Sequence, residues 1–166
     1  MPRQRAPKET RNPKSCHERA LGLLAVRPRS RRELERRLLG ARFEPEEVED
    51  VLVRLERVGL VDDEAFARQY AEQRFGWRKE GSRAVAQGLR AAGIAPSLAE
   101  AVSQEAPEEE EERAADLARS RASRLAGVAP EKAFARLSSL LMRRGYGPEI
   151  ARSAARKALE IPFRDD

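Results

Sequence analysis

The 166-residue chain has one cysteine and one histidine. Cys16 alone excludes an intrachain disulfide and is compatible with a reducing compartment. His17 adjoins it, but sequence neighbours on a helix point in different directions, and no third group stands ready to orient a base. The Asp62-Asp63 pair has no His, Cys or third carboxylate at ligand spacing, so helix capping accounts for it better than a metal. Aromatics make up only 5% of the residues. No alternating β-branched run is long enough to form a strand. No apolar run approaches the roughly twenty residues that span a bilayer. There is no glycine-rich phosphate loop, and Gly76 to Gly81 does not match one. No catalytic residue, cofactor site or metal site is assigned, and a cytoplasmic protein that is not an enzyme is expected.

Charge and helix formers are abundant. Charged residues are 37% of the chain, net charge is +5 and the pI is near 9.9. Ala, Leu, Arg and Glu dominate, which is a helical composition with a solvated surface. The basic balance permits attraction to a polyanion, and equally describes a soluble Arg-rich surface.

One apolar spacing occurs three times. Leu34, Leu38, Phe43 and Pro45 match Val85, Leu89, Ile94 and Pro96, and these match Leu137, Leu141, Tyr146 and Pro148. In each copy two aliphatic residues share a helical face, a large apolar residue follows, and Pro opens the next helix. A repeat near fifty residues indicates stacked supersecondary units that cannot bury their apolar faces alone.

The predicted organisation is a disordered basic arm at 1–14, helical repeats at 15–61, 62–106 and 107–160, and a tail at 161–166. The arm has Pro2, Pro7 and Pro13 among basic residues, little to bury and no apolar segment, so it is neither a secretory signal nor an anchor. Ser15 caps a first helix with Leu21 and Leu24 on its face; Ser30 and Glu33 form a capping-box pattern on a second. Val48, Val51, Leu52, Leu55 and Val58 mark a third, which Gly59 ends. Asp62 is placed to cap a fourth. On that helix Phe66, Tyr70 and Trp77 read as a core stripe more readily than as a base-stacking surface. Ser82 is expected to cap the central repeated helix, where Gly88 suits a close approach. Glu108 to Glu112 open a helix with a solvated acidic face. Leu117, Ala118 and Leu125 extend its apolar side, and Ile150, Ala154 and Ala158 form the last stripe.

Positive charge recurs beside these helices: Arg31, Arg32, Arg36 and Arg37 in the first unit, Arg74, Arg78, Lys79, Arg83 and Arg90 in the second, Arg143 and Arg144 in the third. Stacked units would align such faces along a polyanionic or filamentous partner. The competing account is local pairing with acids such as Glu33 and Glu35.

The stretch Gly59-Leu60-Val61-Asp62-Asp63-Glu64-Ala65-Phe66-Ala67 resembles the junction between the first two units of the RecX family of bacterial recombinase regulators. The likeness extends through Ala20-Leu21, Ser30-Arg31-Arg32-Glu33-Leu34, Gly81 to Leu89, Gly93-Ile94 and Arg143-Arg144-Gly145-Tyr146, covering about Ala20 to Leu159. It implies an all-α fold of three tandem three-helix repeats stacked into an elongated, curved molecule. It also implies a regulator that lies in the groove of a RecA-type recombinase filament on single-stranded DNA. There it would restrain ATPase, strand exchange and coprotease activity in recombination, DNA repair and the SOS response. Gly81-Ser82 replaces the family's frequent Gly-Pro, and the glutamate run and Ala-rich last helix depart from its more basic, apolar third unit.

The partner contacts expected on this reading are Arg31, Arg32, Arg74, Arg78, Lys79, Arg83, Arg90, Arg143 and Arg144. The protein would act as a monomer, with weak direct DNA binding at most and no membrane partner. The alternative is a helical DNA-binding protein acting without a recombinase. No Asn or Gln set suited to reading bases supports that alternative.

Overall fold

The computed structural model describes residues 14–105 and 107–160, leaving the basic arm, apart from Lys14, and the tail outside the described residues. Nine α-helices occur among them. They are α1 (Cys16–Val26), α2 (Arg31–Gly40), α3 (Pro45–Arg57), α4 (Asp63–Gly76), α5 (Ser82–Ala91), α6 (Pro96–Ser103), α7 (Pro107–Ala122), α8 (Pro130–Arg143) and α9 (Pro148–Ala158), with a 3₁₀ turn at Ser123–Leu125. Proline occupies the start of α3, α6, α8 and α9, where its missing N–H costs nothing and its φ suits a helix. The fold is all-α, three successive three-helix repeats, divided into one compact unit ending at Asp62 and another beginning at Asp63.

The threefold spacing has a local cause. Each repeated helix ends in a Schellman turn: Phe43, Ile94 and Tyr146 donate their backbone N–H to the carbonyls of Leu38, Leu89 and Leu141, at 3.4, 3.0 and 3.2 Å. The preceding residue is left-handed in every copy, with Gly93 at φ 89° and Gly145 at φ 92°, but Arg42 at φ 65° in the first. A Cβ in that region costs about 1 kcal/mol or more. Arg42→Gly is therefore expected to stabilise the first repeat by about 1 kcal/mol, seen as a raised denaturant midpoint with an unchanged slope.

In the first unit, Cys16, Ala20, Leu34, Leu38, Val48, Val51, Leu52, Leu55 and Val61 form one buried cluster. The face of α1 matches the expected one only in part. Leu24 packs against the cluster on the line that runs through Cys16 and Ala20, whereas Leu21 is exposed. Ser15 and Glu18 complete a capping box on α1. Ser30 accepts from the Glu33 amide at the start of α2, and the Glu33 carboxylate also gathers arginines.

In the second unit, α4–α6 bury Ala67, Ala71, Val85, Leu89, Ile94, Ala99 and Val102. Helices α7–α9 bury Ala114, Leu117, Ala118, Leu137, Leu141, Tyr146, Ala151, Ala154 and Ala155. Gly88 is where Tyr70 crosses α5: a Cβ there would collide with the phenol hydroxyl.

Candidate partner-binding surface

The second and third repeats meet backbone to backbone. The Gly81 amide donates to the Arg144 carbonyl at 2.8 Å, and the Arg83 amide to the Gly145 carbonyl at 3.1 Å. Only glycines allow this approach. A Cβ on Gly81 would lie 2.5 Å from the Gly145 carbonyl, and one on Gly145 would lie 2.5 Å from the Ala84 nitrogen.

This contact explains two departures from the sequence reading. Gly81, not Ser82, holds the cap position of α5. Ser82 opens the helix and donates both its amide and its hydroxyl to Glu110, each at 2.9 Å. Glu110 is 7% exposed, so one carboxylate of the supposedly solvated acidic run is buried against the N-terminus of α5. A carboxylate is favoured there by the unpaired amides and the helix dipole.

The same junction shapes the turn between α4 and α5. Arg144 Nη1 donates to the Arg78 carbonyl at 2.6 Å, and the Tyr146 hydroxyl donates to the Lys79 carbonyl at 2.9 Å. Lys79 is left-handed at φ 51°. Burial pushes the Tyr146 phenol up to about 12, so it is a neutral donor across the physiological range.

Arg78, Lys79, Arg83, Arg143 and Arg144 are thus gathered at one junction. Arg78, Arg83 and Arg143 are exposed; the side chain of Arg78 has only a loose 4.0 Å approach to Glu80. Arg74 bridges Glu80 at 3.0 Å and lies over the Tyr70 ring. Arg90, seven residues along α5 from Arg83 and so about 10 Å away, pairs with Glu100 at 3.6 Å. The exposed Arg90–Glu100 pair contributes little stability, whereas Arg74–Glu80 is part-buried.

Trp77 also differs from its expected place. Phe66 and Tyr70 pack against the core, whereas Trp77 lies just past the end of α4 and is 91% exposed.

In the first unit the arginines are more committed. Glu33, 7% exposed, accepts from Arg27 at 2.6 Å, Arg37 at 3.0 Å and the buried Arg29. Burial alone would raise its carboxyl, but the three guanidinium bonds outweigh that and hold it below the usual carboxylate range. Arg31 bridges Glu49 at 2.7 Å and Glu56 at 3.0 Å, while Arg32 is exposed. Cys16 is fully buried beside exposed His17, and burial raises its thiol, making it an inert packing residue.

Glu110 and Arg113 are contributors that residue spacing did not single out, while Tyr146 and Trp77, which spacing read as core positions, take further roles at the junction. Arg113 lies over the Phe75 ring at 4.2 Å, tying α7 to α4. No group of His, Cys, Asp and Glu able to hold a metal occurs among the described residues. No described helix is long and apolar enough to cross a membrane.

The features define an all-α repeat protein whose candidate site is a solvent-facing basic surface at a repeat junction. Known proteins place that class further. Models of the first, second and third RecX three-helix domains match residues 16–55, 62–102 and 108–155. Regulatory protein RecX of Streptomyces coelicolor is 40% identical over 146 residues, covering 87% of this chain and 78% of that protein. Its Corynebacterium efficiens counterpart is 34% identical over 153 residues, covering 89% and 73%. The crystal structure of RecX from Lactobacillus salivarius matches with a TM-score of 0.80 at 19% identity, covering 88% of this chain and 96% of that one, a likeness of fold. The chain belongs to the RecX family of regulatory proteins, modulators of bacterial RecA recombinase.

Proposed function

We propose that this protein acts by occupying the groove of a RecA-type recombinase filament on single-stranded DNA, where it restrains ATPase, strand exchange and coprotease activity. It does so as a cytoplasmic monomer, through steric and electrostatic occupation. The observation that carries the reading is the basic junction: Arg78, Lys79, Arg83 and Arg143 sit together, beside an Arg144 that braces the turn. Polyanion binding through such a cluster releases counterions, so on single-stranded DNA it weakens by about 0.7 logarithmic unit per phosphate contact for each tenfold rise in salt.

Reversing Arg78, Lys79 and Arg83 to Glu tests it. The triple variant is expected to inhibit filament ATPase at least about tenfold less effectively, with a shallower salt dependence and an unchanged helical circular dichroism signal. Unchanged inhibition removes this surface from the account.

A further inference from the structure

Large aromatic side chains are rarely left in water without a use, and Trp77, 91% exposed, is the chain's only tryptophan. Nothing in the packing requires it. It follows the last residue of α4 and precedes two cations, Arg78 with a side chain 63% exposed and Lys79. The turn that carries it is braced from the third repeat by the Arg144 and Tyr146 bonds to the carbonyls of Arg78 and Lys79. Those bonds use the backbone of the turn and leave the Trp77 ring and the Arg78 side chain facing outward.

A rigid turn presenting an indole next to guanidinium and ammonium groups has complementarity to one kind of partner in particular. Single-stranded nucleic acid offers phosphates at regular spacing together with unpaired, stackable bases. Duplex DNA hides its base faces, and an apolar protein pocket does not account for the adjacent cations. We infer that Trp77 is a stacking platform for an unpaired base, with Arg78, Lys79 and Arg83 on the flanking phosphates. Arg144 and Tyr146 are positioning residues that hold the platform in place. The inference deepens the filament reading and rests on it for the source of the strand.

Its test uses the tryptophan as its own probe. Titrating the full chain with an oligothymidylate is expected to quench Trp77 fluorescence, whereas an abasic strand of equal length and charge leaves it bright. Trp77→Ala is expected to weaken oligothymidylate binding about 10–100-fold, and Trp77→Phe to restore part of that loss, with thermal stability unchanged because the ring is solvent-exposed. Equal quenching by the abasic strand overturns the inference. So does a Trp77→Ala variant that binds the naked strand like the parent, and if that variant also loses filament binding, the ring docks on protein instead. Recombinase ATPase measured in parallel separates the two ideas. Inhibition by the parent chain without quenching sinks stacking alone, and quenching without inhibition sinks the filament reading alone.

Discussion

Gly145→Ala is expected to destabilise the unit formed by the second and third repeats by about 3–5 kcal/mol. Two costs fall on one methyl group. Gly145 has φ 92°, a conformation that penalises a Cβ, and its α-carbon faces Ala84, whose backbone nitrogen would stand 2.5 Å from the new atom. Backbone cannot rotate away as a side chain would. Relief requires the junction to open, breaking the Gly81–Arg144 and Arg83–Gly145 bonds and stranding Glu110. Gly81→Ala separates the two costs, because Gly81 has φ −86° and no conformational penalty, yet its Cβ would still meet the Gly145 carbonyl. Denaturant melts are expected to show Gly81→Ala destabilised by a smaller but clear margin, about 1–3 kcal/mol, and both variants with a loosened turn at Arg78 and Lys79. A Gly145→Ala protein as stable as the parent would mean that the two repeats do not meet through these glycines.

Glu33→Ala is expected to cost the first unit about 3–5 kcal/mol. The carboxylate is the shared anion of Arg27, Arg29 and Arg37, and the Arg29 side chain is itself only 6% exposed. Removing the anion leaves the Arg29 charge buried without its counter-ion, although Arg29 Nε keeps its bond to the Leu23 carbonyl at 3.1 Å. Glu33→Gln keeps the volume and one acceptor, and is expected to lose less. The pH dependence has a definite sign. Because the folded carboxyl sits below its unfolded value near 4.3, its contribution is present above that pH and is lost as pH falls through the folded value. Acid titration of the parent is expected to lose stability below about pH 4, and Glu33→Gln to show a flatter curve. Parallel curves for the two would contradict a stabilising role for the ionised carboxylate.

Why some of this was legible in the chain and some was not follows from range. The three repeats announce themselves because the Leu38, Leu89 and Leu141 turns are local: a Schellman motif needs only residues five apart, and Gly93 and Gly145 mark it openly. Arg42 conceals the same turn under a residue that tolerates it poorly. Proline starts read correctly for the same reason, since the penalty and the benefit both lie within one turn.

Long-range contacts are where spacing failed. Glu110 is chemically indistinguishable from Glu109 and Glu111, and only the arrival of Ser82 from 28 residues away selects it. Ser82 has the chemistry of a cap, but its amide and hydroxyl both go to that carboxylate. Trp77 fits a helical stripe with Phe66 and Tyr70 only if α4 continues, and α4 ends at Gly76. Charge was the least legible quantity. Arg31 and Arg32 are neighbours of the same type, yet the first bridges two glutamates on α3 while the second faces solvent. Nothing in their immediate sequence distinguishes them.

The central claim is that the protein acts on the recombinase filament rather than on DNA by itself. Recombinase ATPase on single-stranded DNA, titrated with this protein at the same salt as a naked-strand binding curve, tests it most directly. The expected result is inhibition at protein concentrations well below those that occupy the naked strand. Tight occupation of naked DNA with the recombinase ATPase unchanged would contradict it.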